Sequence, residues 1–279
     1  MNPSLARRGF VMTSLIGGLT MATPRALAQV IHTDSNGLVA GEVQIPVADG
    51  HLPAYAARPA GAGPYATVLV IEEIFGVHDY IKDVCRRLAK AGYLAVAPEL
   101  YARLADLSKL TDPQEIVRDV IDRAPDATML SDLDATAAWA TAHGHGNPAR
   151  LGVTGFCRGG RDTWIYAAHN QALKAAVAWY GPLGGARTAI QPQDPLDVAA
   201  SLQCPLLGLY GGADPSSSPA QRHEAEARAH AAGRQVTFIV YPDAPHGFHA
   251  DYRPSYRREA AEDGWTRMLA WFASHGVEA

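Results

Sequence analysis

The chain has little cysteine: Cys85, Cys157 and Cys204 are the only three in 279 residues. An odd count leaves at least one thiol free. None of the spacings resembles a zinc site, so no metal and no cofactor is expected. The chain also lacks any long run of like charge, and its formal net charge is −4. That excludes the basic face of a nucleic-acid binder. No apolar stretch is long enough to anchor in a bilayer as a stable span, so the mature chain is expected to stand free of the membrane. From residue 29 onward there is no low-complexity tract and no internal repeat. What remains is the composition of a globular enzyme, 48% hydrophobic and 19% charged.

The first segment of interest is a leader. Arg7-Arg8-Gly9-Phe10 pairs two arginines with an aromatic, a weakly apolar stretch runs from Val11 to Ala22, and Ala26-Leu27-Ala28 supplies small residues for peptidase cleavage after Ala28. Arg25 near the cleavage point fits a twin-arginine signal. Residues 1–28 are therefore expected to engage the twin-arginine export machinery. Residues 29–279 are expected to form a single periplasmic or secreted domain, a monomer or small homo-oligomer. Such substrates fold in a reducing compartment before export, which makes structural disulfides less expected.

The rest alternates strands and helices. Leu38–Val47 and Leu52–Arg58 read as two strands joined at Asp49-Gly50. Thr67–Ile71 is a continuous apolar run, as in a strand buried on both faces. Ile81, Val84, Cys85 and Leu88 recur at helical spacing, with Gly92 placed to stop the helix. Further strands are expected at 93–97, 151–154, 175–179, 206–210 and 236–241. Helices are expected near Pro113, over 127–141, from the tight turn at 155–160 to about 168, and over 219–232 and 254–273. This order demands an α/β fold: a mostly parallel sheet with helices on both faces and an antiparallel N-terminal edge. Chemistry in such folds gathers at the carboxyl ends of the strands.

Three residues with chemistry to offer follow predicted strands. Gly155-Phe156-Cys157-Arg158-Gly159-Gly160 joins a strand to a helix. It is the nucleophile-elbow pattern Gly-x-Ser-x-Gly with cysteine in the serine place. A helix N-terminus behind the sulfur favours the thiolate. Asp214, in Gly211-Gly212-Ala213-Asp214, follows the strand 206–210. His246, in His246-Gly247-Phe248, follows the strand 236–241. The order nucleophile, acid, histidine is that of an α/β-hydrolase triad. His246 would take the thiol proton and Asp214 would hold its tautomer. His143 and His145 read as loop or capping residues. His249 reads as a surface or pocket-lining residue.

These segments resemble the dienelactone hydrolase (carboxymethylenebutenolidase) family. The resemblance runs from about Gly41 to Ser274. It also rests on Glu73-Ile74-Phe75-Gly76, Pro98-Glu99-Leu100-Tyr101-Ala102-Arg103 and Trp179-Tyr180-Gly181. It implies an α/β-hydrolase fold and a cysteine-dependent hydrolase acting on a small ester or lactone of the dienelactone type. It implies that Glu73, rather than its neighbour Glu72, hydrogen-bonds the resting thiol and helps form the thiolate. It implies an oxyanion hole made by the backbone N–H groups of Ile74 and Arg158. It places Arg103, Tyr180 and Arg253 against the substrate, Arg103 holding its carboxylate; by itself Arg103 also fits a surface ion pair. A second carboxylate-binding arginine of the family falls at Ala250 in this chain, and Arg253 lies three residues beyond. Two other readings stay open: a carboxylesterase or thioesterase acting on another ester, and a periplasmic binding protein that lost turnover. Cys85 and Cys204 are expected to pack as small hydrophobes.

Overall fold

The computed structural model describes residues 30–279; the predicted leader, residues 1–28, lies outside them. The central sheet follows from apolar runs too short for helices and too continuous for a one-sided strand. In β3 (Tyr65–Ile71), Leu69 and Ile71 point into one core while Val68 and Val70 point into the other. That is the period of two expected of a strand covered on both faces. β1 (Leu38–Val47) and β2 (Gly50–Pro59) form a hairpin in which Val47 pairs with Gly50.

Eight strands line up in the order β1-β2-β4-β3-β5-β6-β7-β8. The remaining strands are β4 (Leu94–Pro98), β5 (Gly146–Phe156), β6 (Leu173–Trp179), β7 (Leu206–Gly211) and β8 (Val236–Tyr241). β2 runs antiparallel to β1 and β4, and every other pairing is parallel. The antiparallel edge and parallel centre match the sequence expectation.

Helices α1 (Asp79–Lys90) and α7 (Arg258–Ser274) cover one face, burying Ile81, Val84, Leu88, Met268 and Phe272. Helices α3 (Asp126–Ala142), α4 (Arg158–His169) and α6 (Pro219–Ala231) cover the other with Leu133, Trp164, Ile165 and Ala225. Local chemistry sets several ends. Asp112 accepts from the N–H of Gln114 to start α2 (Pro113–Asp119), and Ser218 forms a capping box with Gln221 to start α6. A short helix, α5 (Pro195–Val198), opens in the same way on Asp194. A third, smaller core of Ile74, Tyr101, Leu107, Ile116 and Ile121 sits over the carboxyl ends of β3 and β4.

Two boundaries differ from expectation by four residues or more, and one short helix was not expected. β5 begins at Gly146 rather than at 151, because Gly146 pairs with Tyr65 across a register shift. The last helix begins at Arg258 rather than at Pro254. Arg253 accepts from Tyr256 N–H, and Arg257 N–H turns back to Phe248 at 2.9 Å, so residues 253–257 are a turn. The four-residue α5 has no helical periodicity to betray it.

Candidate active site

The site is built where β3, β5, β6, β7 and β8 end. Cys157 joins β5 to α4 with φ 55° and ψ −115°. A non-glycine residue in that region is strained and held by its surroundings. The flanking glycines allow the turn to close. A Cβ on Gly155 would stand 2.2 Å from the Gly159 carbonyl oxygen, and one on Gly159 would stand 2.4 Å from those of Ile71 and Glu72. The sulfur lies at the N-terminus of α4, whose first N–H groups have no partner within the helix. Arg158 is the first helical residue, and Ile74 is buried in the small third core.

His246 Nδ1 donates to Asp214 Oδ2 at 2.9 Å, and the ring lies beside the Cys157 sulfur, whose influence reaches its pKa. Burial alone would depress the imidazole pKa. The adjacent Cys157 sulfur, together with Asp214, reverses this and pushes it up to about 10. Burial likewise opposes the ionisation of Asp214, but hydrogen bonds from His246 and Ser216 hold its carboxyl below the usual range. Ser216 is the residue that sequence reasoning missed here. Its backbone N–H donates to Asp214 Oδ1 at 2.8 Å, and its Oγ lies 3.3 Å from His246 Nδ1. The Asp-x-Ser spacing of an Asx turn was the available signal. Tyr180 follows β6 with φ 39° and meets the His246 ring edge-on, centroids 5.2 Å apart.

Glu72 and Glu73 separate cleanly, although both are fully buried. Glu72 accepts from Leu100 N–H at 2.8 Å, and burial followed by the nearby Glu99 raises its pKa well above the carboxylate range. It fastens the chain after β4 to the chain after β3. Glu73 carries the charge. Burial would raise it too, but Arg253, then His78 and Tyr252, bring it down to about 2. Tyr252 donates to Glu73 Oε2 at 2.6 Å and Arg253 Nη2 stands 3.3 Å from Oε1. Among the described residues, no hydrogen bond joins Glu73 to the Cys157 sulfur. The carboxylate faces the arginine instead of the thiol.

Arg253 is buried, lies over the Phe75 ring at 5.0 Å, and neither of its Nη atoms has a hydrogen-bond partner among the described residues. Its charge is felt at Cys157 and Tyr180. The family position at Ala250 is also buried, within the apolar core on the α1 and α7 side. Arg103 requires a correction. Its Nε and Nη2 donate to Asp49 at 2.6 and 2.8 Å, and its Nη1 and Nη2 donate to Asp132 at 2.6 and 3.0 Å. With its fork spent on two carboxylates, it is a brace between the β1–β2 turn and α3, not a free carboxylate receptor. His249 is likewise no surface residue. It is buried and hydrogen-bonds Tyr80 OH through Nδ1 at 2.7 Å, and burial, then Arg87, hold its pKa down to about 3.

The strand order, the left-handed residue at the β5–α4 turn and the histidine–aspartate pair beside it define an α/β hydrolase. Within that class, the chain belongs to the dienelactone hydrolase family, whose model matches residues 52–276. It is a carboxylic ester hydrolase. A protein of Methylorubrum extorquens provisionally named carboxymethylenebutenolidase is 56% identical over 98% of this chain and 94% of its own. One of Escherichia coli with the same provisional name is 48% identical over 95% and 97%. A crystal structure from Klebsiella pneumoniae, provisionally described as a dienelactone hydrolase, is 51% identical. It superposes with a TM-score of 0.83 over 85% of this chain and 98% of that one.

Proposed function

We propose that the enzyme hydrolyses a small ester or lactone bearing one carboxylate, through a covalent thioester on Cys157. The observation that carries the reading is the His246 imidazole, hydrogen-bonded to Asp214 at 2.9 Å and set beside the Cys157 sulfur of the elbow. Sulfur attacks the carbonyl carbon, and the backbone N–H groups of Arg158 and Ile74 receive the oxyanion. His246 gives its proton to the departing alkoxide or ring oxygen. It then takes a proton from water, whose oxygen attacks the thioester and frees Cys157. Asp214 keeps the imidazole in its working tautomer throughout. Arg253 takes the substrate carboxylate, since it is the buried guanidinium in the site whose Nη atoms make no hydrogen bond among the described residues, Nη2 facing only Glu73 at 3.3 Å.

Turnover of dienelactone beside that of a neutral aryl ester, each with the native enzyme and with Cys157→Ala, tests this reading. Full activity in the variant on both substrates would overturn the cysteine mechanism. A clear preference for the neutral ester would overturn the carboxylate and favour the general esterase reading. The consumed Arg103 is the observation that speaks for that alternative. We also propose export, on the strength of the Arg7-Arg8 leader and its Ala26-Leu27-Ala28 ending. A periplasmic protein whose first residue is Gln29 is the expected result, and a cytoplasmic protein with an intact leader would refute it.

A further inference from the structure

The chain that precedes β1 is fastened along helix α1. Thr33 donates to Asp83 twice, from its backbone N–H to Oδ1 and from its hydroxyl to Oδ2. Arg86 Nε donates back to the Thr33 carbonyl at 2.7 Å. Lys90 Nζ reaches Asp34 Oδ1 at 2.9 Å and the Asn36 carbonyl at 2.8 Å. Positions 83, 86 and 90 recur at helical spacing, so residues 33–36 lie along one face of the helix.

The same helix holds the loop that carries Arg253. Arg87 donates through Nε to Asp83 and through Nη2 to Asp251. Both carboxylate residues are 1% exposed, and Arg87 is the one ion-pair partner of Asp251 among the described residues. Asp251 sits in the turn that the Arg253 N–H closes on the Ala250 carbonyl at 3.0 Å. Tyr80, two helical turns before Arg87, hydrogen-bonds His249 Nδ1 at 2.7 Å. Helix α1 therefore ties the loop 249–253 at two points, one at each end of its contact.

A single guanidinium thus stands between two buried carboxylates. A buried charge short of donors is strongly unfavourable. Asp83 is kept from claiming the whole of Arg87 by its other donors, the Thr33 N–H, the Thr33 hydroxyl and Arg86 Nη2 at 3.0 Å. Asp251 has less support, since its Oδ1 finds no partner among the described residues. Weakening the amino-terminal contact draws Arg87 toward Asp83 and loosens the turn before Arg253. We propose that Asp83, Arg87 and Asp251 are positioning residues for Arg253, kept in place by residues 33–36. The inference rests on the reading above that Arg253 takes the substrate carboxylate, and it adds the residues that aim the guanidinium.

Thr33→Pro removes the N–H and hydroxyl donors to Asp83 without taking away any buried charge. Thr33→Ala keeps the N–H and serves as its control. Dienelactone kinetics and amide hydrogen exchange by mass spectrometry are measured on both, beside Arg253→Met. Thr33→Pro should raise KM for dienelactone about fivefold with kcat little changed. Its amides at 249–253 should exchange about fivefold faster while those of β8 do not. Thr33→Ala should stay near native in both measurements. A role in stability alone would reduce the amount of active enzyme, and so kcat, and leave KM where it was. An unchanged KM in Thr33→Pro, with KM raised in Arg253→Met, overturns the proposal whatever the exchange shows. If Arg253→Met also leaves KM unchanged, or native enzyme does not cleave dienelactone, the carboxylate reading is what fails. Exchange then decides the positioning: faster exchange confined to 249–253 sustains it, and unchanged exchange overturns it.

Discussion

Arg253 Nη2 stands 3.3 Å from Glu73 Oε1, joining residues 180 positions apart by number in a pocket where both are buried. The pair sets the charge of the site before any substrate arrives. A carboxylate on the substrate competes with Glu73 for the same guanidinium, so binding and the electrostatics around Cys157 are coupled. Arg253→Met should lower kcat/KM for a carboxylate-bearing lactone roughly 10- to 100-fold relative to a neutral ester, the worth of a hydrogen bond to a charged group. Steady-state kinetics on the two substrates read this directly, and an equal loss on both would remove Arg253 from carboxylate recognition.

The same pair predicts acid sensitivity. Glu73 is more acidic in the folded chain than its ordinary value of 4.5, at about 2. Its contribution to stability is thus complete above roughly pH 4.5 and lost as the pH falls toward 2. The shift corresponds to roughly 3 kcal/mol. Urea unfolding at pH 7 and pH 3 should show the loss in native protein. Arg253→Met, which leaves Glu73 to hold a proton, should show a smaller difference between the two pH values.

Cys157→Ala should reduce ester hydrolysis at least about 10³-fold, the order expected when a nucleophile is removed and only the surrounding donors remain. Mass spectrometry of quenched native enzyme should show an acyl adduct on Cys157. Adducts at another residue would redirect the mechanism.

Ser216 predicts a gentler phenotype. Its Oγ, 3.3 Å from His246 Nδ1, is a second and longer acceptor for the hydrogen that Nδ1 donates to Asp214, and supports the charged imidazole, whose pKa is pushed up to about 10. Ser216→Ala should lower kcat/KM by roughly 2- to 10-fold and move the alkaline limb of its pH profile downward. The sign follows because removing an acceptor from an N–H disfavours the cation. Ser216→Thr, which keeps the hydroxyl, should restore both. A variant with reduced rate but an unmoved limb would make Ser216 a packing residue only.

Arg103→Met tests a correction. Its carboxylate partners are Asp49 and Asp132, so the substitution should cost about 1 kcal/mol of stability with little change in the preference for carboxylate-bearing substrates. Denaturant midpoints and the two-substrate ratio together decide it.

Sequence reading went furthest where the signal was local. Val68 to Ile71 announce a two-faced strand, and the elbow, Asp214 and His246 each follow such a strand within a few residues. Arg103 misled because its side chain suits a carboxylate wherever one is found. The sequence around it does not say that Asp49 and Asp132 arrive from other elements. Arg253 stayed undecided for the matching reason, since its partner Glu73 lies at the far end of the chain and only the closed sheet brings them together. His249 reads as polar in any window, yet Phe156, Trp179 and Trp265 surround its ring.

The three thiols give the protein a built-in gauge of its own integrity. Burial lifts Cys204 to about 12 and Cys85 higher still, while Cys157 alone sits beside an imidazole. A brief pulse of a small alkylating reagent at neutral pH should therefore mark one cysteine in folded molecules and three in unfolded ones. Counting labels per chain would sort a heated or mutated sample into native and denatured fractions without an assay for any substrate.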